Sequence, residues 1–96
     1  MSEDARTHRV PEEVLAAHLE GEAVLLHMET KNYYRLNATA AAVYKGLERG
    51  LGREALLDDL CAQFDVERHV AAAELDRLLG ELEERGLVAP AGGGAP

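Results

Sequence analysis

Short apolar runs alternate with turn-forming residues in the first part of the chain, a pattern typical of β-strands. Residues 14–19 and 23–28 are apolar runs on either side of a glycine-containing turn, and residues 32–36 form a third, alternating run. The periodicity of residues 14–19 also fits a short helical turn, but their place directly before a clearer strand favours a strand. We therefore expect a three-stranded antiparallel sheet joined by consecutive hairpins.

Aromatic residues concentrate in the third predicted strand. Two of the three tyrosines lie there, in a chain that is only 4% aromatic. Because side chains alternate along a strand, Tyr34 and Leu36 are expected on one face, and Tyr33 and Arg35 on the other. This concentration marks a corner of the core, a binding surface, or both.

Helical spacing dominates the rest of the chain. Asn37 is a suitable N-cap for a helix over residues 38–49. Leucines recurring at i, i+3 and i+4 predict a second helix over residues 53–64 and a third over residues 67–85, which Gly86 ends. This order predicts an α+β fold, a three-stranded antiparallel sheet followed by three α-helices, similar to a winged helix-turn-helix with its strands placed first.

The length of 96 residues bounds the chain to one small domain. Residues 1–9 are polar and mixed in charge, and are predicted to be a flexible N-terminus. Residues 89–96 are rich in Gly, Ala and Pro and are predicted to be a flexible tail. The folded domain is therefore expected to span residues 10–88.

The formal net charge of −8 argues against binding to a phosphate backbone or to an anionic membrane surface. In the third predicted helix, carboxylates outnumber arginines, so DNA would repel this helix. A basic or hydrophobic peptide fits this acidic surface better. The sequence shows neither a signal peptide nor an apolar run of membrane-spanning length, so a cytoplasmic protein is expected.

Candidate catalytic and metal-binding residues are few. His8, His18, His27 and His69 are scattered without metal-ligand spacing, and His18 and His27 are expected to face each other across the first hairpin as a polar pair. Cys61 lies on an apolar helical stripe, where a buried small hydrophobe is a better interpretation than a nucleophile. We expect no catalytic residue, no metal and no cofactor, and therefore no enzyme.

In the predicted sheet, the strand at residues 32–36 is an edge. An edge strand offers unpaired N–H and C=O groups, which a partner segment can complete as an added strand. The alternative is an ordinary strand whose aromatic residues serve only the core and the surface.

The ordered set of motifs resembles the PqqD-like family. The residues that carry this resemblance are Ala23-Val24-Leu25-Leu26, then Asn32-Tyr33-Tyr34-Arg35-Leu36-Asn37 with the alanine-rich helix start that runs to Tyr44, then Phe64-Asp65-Val66, and finally Gly86-Leu87-Val88. The match covers about residues 14–88.

The resemblance implies a RiPP recognition element, a non-catalytic adaptor or chaperone that binds the leader of a ribosomally synthesised precursor peptide. In such modules the leader adds as an antiparallel strand to the third strand, and its side chains enter a groove beside the third helix. The peptide-binding residues implied by position are Lys31, Asn32, Tyr33, Tyr34, Arg35, Leu36, Val70, Ala73, Glu74 and Arg77. Acidic residues of the third helix, Glu67, Glu74 and Asp76, are expected to contact basic leader residues.

The implied partners are the precursor peptide and a peptide-modifying enzyme, such as a radical SAM enzyme, or a leader protease. The chain is expected to act as a discrete adaptor, as a monomer or a dimer. The resemblance does not distinguish pyrroloquinoline quinone synthesis from lasso-peptide or other pathways. The alternatives are a winged-helix nucleic-acid-binding or regulatory protein and a homo-oligomer that pairs through its own edge strand.

Overall fold

Five strands and three helices make up the computed structural model, which describes residues 7–90. In chain order they are β1 (His8–Arg9), β2 (Val14–Leu19), β3 (Glu22–His27), β4 (Tyr33–Leu36), α1 (Ala38–Glu48), α2 (Arg53–Gln63), α3 (Arg68–Glu84) and β5 (Ala89–Pro90). β2, β3 and β4 form an antiparallel sheet in that order, and the three helices follow it. The predicted α+β fold is therefore confirmed.

Turn and cap residues set the boundaries of these elements. Gly21 has a φ of +77° in the tight β2–β3 turn, a conformation that glycine adopts at little cost. The Asn37 side chain accepts a 2.9 Å hydrogen bond from the Ala40 N–H and so caps α1, as predicted. Gly50 and Gly86 have φ values of +83° and +74° after α1 and α3, in the left-handed position that ends many helices.

The core lies between the inner face of the sheet and the helices. Ala23, Leu25 and Leu36 point inward from β3 and β4 and are buried. The helices bury aliphatic side chains against them, chiefly Val43, Leu47, Leu56, Leu57, Leu60, Leu75, Leu79 and Leu82. Each fully buried leucine contributes about 2 kcal/mol of transfer free energy.

Close packing of α1 on α2 explains a glycine inside α1. A Cβ atom at Gly46 would lie 2.5 Å from the Leu56 Cδ2 atom, and Leu56 is itself buried. Side chains in a packed core move little, so this crossing requires a residue without a Cβ.

Tyr44 ties the segment after α3 to the first helix. Its hydroxyl donates a 2.9 Å hydrogen bond to the carbonyl oxygen of Leu87, and the side chain is fully buried. Burial raises the pKa of Tyr44 above its ordinary value, and the nearby Glu48 carboxylate adds to this shift. Leu87 and Val88 are buried, so the segment after α3 returns to the core.

The two ends of the described chain pair with each other. His8 lies opposite Pro90 and Arg9 opposite Ala89, and the His8 Nε2 atom lies 2.9 Å from the Glu83 carboxylate. The paired residues extend two positions beyond each expected boundary of the domain at residues 10 and 88. The rest of the predicted flexible ends, residues 1–6 and 91–96, lies outside the described residues.

The hairpin register separates the two histidines that were expected to face each other. His18 lies opposite Ala23, and His27 lies opposite Val14, so the expected pair is wrong. The short β2–β3 turn fixes this register. Within residues 7–90 no three His, Cys, Asp or Glu side chains are grouped as a metal site, and no helix is long and apolar enough to cross a membrane.

Candidate peptide-binding groove beside the edge strand

β4 is an edge strand, since among the strands of residues 7–90 it pairs only with β3. The His27 N–H donates a 2.9 Å hydrogen bond to the Asn32 carbonyl oxygen, which directs the backbone groups of Asn32 toward β3. Backbone groups alternate in direction along an antiparallel strand, so those of Tyr34 and Leu36 also face β3. Both Tyr33 and Arg35 therefore direct their N–H and C=O groups to the open edge.

A groove of about 380 Å³ lies between this edge and the second half of α3. Its apolar part is contributed by Leu36, Ala40, Leu78, Leu82 and Leu87. These side chains belong to β4, α1, α3 and the segment after α3, so the whole fold positions the groove. A groove of this composition accepts apolar side chains from a strand that lies along β4.

The ring of Tyr34 forms one side of the groove. Its side chain is half-buried on the inner face of the sheet, and its hydroxyl lies 3.4 Å from the Asn32 side-chain nitrogen, which donates to it. The Arg85 Cζ atom lies 5.6 Å from the ring centroid, within the range of a cation–π contact. These contacts restrain the ring at the side of the groove, where a bound peptide would touch it.

Three arginines line the groove, and each of them is paired with a carboxylate. Arg77 lies 2.6 Å from the Glu74 carboxylate and 3.1 Å from that of Glu81, and Arg85 lies 3.3 Å from Glu81. The hydrogen bond from Arg77 holds the pKa of Glu74 below its ordinary value. The groove is thus lined by Arg35, Arg77, Arg85 and Glu81, and carboxylates bordering it balance the charge of the arginines.

Comparison with known proteins agrees with this architecture. The sequence matches the family described as Coenzyme PQQ synthesis protein D (PqqD) over residues 22–88. The chain belongs to the PqqD family. Comparison with curated proteins gives no significant match.

Two solved structures resemble this PqqD-family chain over most of their length. TbiB1 in complex with the TbiA(beta) leader peptide is 31% identical, with a TM-score of 0.79 over 88% of this chain and 95% of that chain. Lasso peptide synthetase B1 complexed with the leader peptide is 28% identical, with a TM-score of 0.78 over 88% of this chain and 99% of that chain. The predicted resemblance to the PqqD-like family is confirmed.

The structure divides the implied peptide-binding residues of this PqqD-family chain into two groups. The first lies at the edge strand and its groove, and consists of Lys31, Asn32, Tyr33, Tyr34, Arg35, Leu36 and Arg77. The second lies on the first half of α3. Val70 and Glu74 line a separate, apolar cavity of about 270 Å³ with Thr39 and Phe64, and Ala73 is exposed one turn before Arg77.

Two of the three carboxylates that were expected to meet basic leader residues are paired with arginines of the chain. Asp76 lies 3.0 Å from Arg53 of α2, whose hydrogen bond lowers the pKa of the Asp76 carboxyl group. Glu74 is paired with Arg77, whereas Glu67 is the N-cap residue of α3 and its exposed side chain makes no capping hydrogen bond. A basic leader residue would have to compete with Arg53 and Arg77 for Asp76 and Glu74, and the expected contact of the three acidic residues with the leader stays a prediction.

Sequence reasoning missed the groove residues in the second half of α3. Leu78, Glu81, Leu82 and Arg85 line the groove together with Arg77. Arg77, Glu81 and Arg85 follow one another at intervals of four residues, which places them on one helix face. This four-residue spacing is the sequence signal from which the α3 side of the groove could have been predicted.

Proposed function

We propose that this chain is a non-catalytic adaptor that binds the leader of a ribosomally synthesised precursor peptide and presents the peptide to a modifying enzyme or a leader protease. The leader adds as an antiparallel strand to β4. The observation that carries this proposal is the open edge of β4 beside the groove along α3. The two similar structures, both complexes of a related protein with a leader peptide, support the same function.

Backbone pairing supplies part of the affinity. Tyr33 and Arg35 together offer two N–H donors and two C=O acceptors to an added strand. Each bond contributes about 1 kcal/mol net, and ordering a flexible peptide costs several kcal/mol, so four bonds alone give weak binding. The remaining affinity comes from side chains that enter the groove beside Tyr34.

Because side chains alternate along a strand, only every second leader side chain would enter the groove. Every second residue of the added strand points to the inner side, where Leu78 and Leu82 form the apolar floor of the groove. We propose apolar leader residues at these positions. An acidic leader residue beside them would lie near Arg77 and Arg85, where it would compete with Glu74 and Glu81 for these arginines.

The direction of the added strand brings the first half of α3 into the site. Since the leader runs antiparallel to β4, leader residues that precede the paired segment lie at the Leu36 end of the strand. The apolar cavity formed by Thr39, Val70 and Glu74 lies beyond that end, next to the start of α1. We propose that this cavity receives an apolar side chain from the N-terminal part of the leader, with Ala73 at its border.

Titration of the ¹⁵N-labelled chain with a synthetic leader peptide, followed by NMR, tests the proposal. The peptide is chosen by searching the genes that neighbour this one for a short precursor sequence. We expect the amide signals of Tyr33 and Arg35 to shift, together with those of Leu78 and Leu82, and amide exchange at the outward-facing N–H groups to slow. A titration that shifts neither β4 nor α3 would overturn the assignment.

A further inference from the structure

The outer face of the sheet, turned away from the core, is apolar. Strand register places Leu15 of β2, Leu26 of β3 and Tyr33 of β4 side by side on this face. Leu19 and Met28 lie on the same face by alternation. Four of the five large hydrophobic side chains that are exposed within residues 7–90 belong to it, and Tyr33 is 71% exposed.

This composition departs from the usual pattern of an antiparallel sheet with one solvated face, in which the outward positions are polar. The charged pair on the outer face is Arg35 with Glu22, whose side chains lie 2.8 Å apart. A contiguous exposed apolar surface of this kind marks an interaction site. The inner face of the same sheet is occupied by the core, so the fold itself does not require these outward leucines.

The charge around the outer face distinguishes among its possible binding partners. The turns that border the three strands carry four carboxylates, Glu12, Glu13, Glu20 and Glu29, and one cation, Lys31, while Arg35 on the face itself is paired with Glu22. Two copies of the chain would bring these like-charged rims together, and an anionic lipid surface would meet the same repulsion. A protein surface with an apolar centre and a rim of Lys and Arg complements both features.

We propose that the outer face, defined by Leu15, Leu19, Leu26, Met28 and Tyr33, is the docking surface for the peptide-modifying enzyme, through an apolar patch edged with basic residues. This inference rests on the proposed function. A leader strand paired with β4 extends the same sheet, and every second leader side chain then lies beside Tyr33 and Arg35 on the outer face. The enzyme therefore contacts adaptor and leader together.

This geometry requires coupling between the two ligands. If the enzyme touches both the outer face and the outward side chains of the leader, bound leader strengthens enzyme binding, and bound enzyme strengthens leader binding by the same factor. The adaptor then recruits the enzyme preferentially when it carries a precursor.

The double variant Leu15→Thr/Leu19→Thr tests the inference. Both leucines are 54% exposed, and threonine keeps the β-propensity of the strand, so the fold is retained. The probes are the purified modifying enzyme encoded beside the precursor and the synthetic leader peptide. Ala62→Ser, at an exposed position of α2, serves as the control.

We expect the enzyme to bind the double variant about tenfold more weakly, because apolar area at the interface is lost. The leader should bind within about twofold of the parent chain, since substitutions at separate sites act independently. Unchanged enzyme affinity with intact leader binding would overturn the docking surface alone, whereas a parent chain that does not bind leader would overturn the proposed function. A parent dimer that the substitutions dissociate in sedimentation would assign the face to a second copy and also overturn the inference.

Discussion

Replacing Tyr33 with proline removes one backbone donor from the open edge of β4. Tyr33 is the first residue of that strand, and its N–H points away from β3, so proline breaks no hydrogen bond of the sheet. The substitution also removes an exposed aromatic ring. Tyr33→Ala is therefore the matched control, because it removes the ring and keeps the donor.

The size of the effect follows from one hydrogen bond. A net contribution of about 1 kcal/mol corresponds to about a fivefold change in Kd. In the complex, a carbonyl group of the leader faces position 33 and is shielded from water. Proline at this position offers it no donor, and an unpaired, partly buried carbonyl costs about 1–3 kcal/mol. We therefore expect Tyr33→Pro to bind the leader at least about fivefold more weakly than Tyr33→Ala.

Fluorescence anisotropy with a labelled leader peptide measures both affinities, and urea denaturation of each variant verifies that the strand is intact. Equal leader affinity of two folded variants would refute strand addition at this position. A leader that binds through side chains in the groove alone would give that result, because neither substitution changes the groove floor.

Three further substitutions test the contacts that hold the groove in place. Tyr44→Phe should lower the free energy of unfolding by about 1–2 kcal/mol, since the Leu87 carbonyl loses its buried donor; an unchanged urea midpoint would contradict this. Gly80→Ala should raise thermal stability by about 1 kcal/mol, because Gly80 is helical and an added Cβ meets nothing within 4 Å. The Asp76 carboxyl has a lowered pKa beside Arg53, so its stabilising effect is complete above the ordinary carboxyl pKa and is lost as the pH falls through the lowered value. Asp76→Asn should therefore destabilise the chain at neutral pH but not in acid, as followed by urea denaturation at each pH.

Local signals were sufficient to predict most of the fold. Apolar alternation and the turn at Gly21 defined the sheet, and the Asn37 cap and the glycine at position 86 defined two helix ends. Each of these signals acts within a few residues of the backbone it controls, so it is visible in sequence order.

The site was less predictable because its chemistry depends on pairs distant in sequence. Arg53 and Asp76 meet across α2 and α3, and His18 meets Glu48 across the sheet and α1. No local pattern shows that Asp76 is already paired, so the sequence alone did not reveal which carboxylates of α3 remain open to a basic ligand. The contact between β1 and β5 joins the two ends of the described chain and is equally invisible to local patterns.

The groove, rather than the open edge, determines which strand can be added. β4 is only four residues long, so its outward backbone groups provide too few hydrogen bonds for stable pairing on their own. A second copy of β4 would bring its own Tyr34 ring to the side where Tyr34 and Arg85 of the first copy already meet, and this crowding disfavours an edge-to-edge dimer. A leader strand with smaller apolar side chains at these positions meets no such crowding. We therefore expect the short β4 and its groove to favour a peptide ligand over a second copy of the chain.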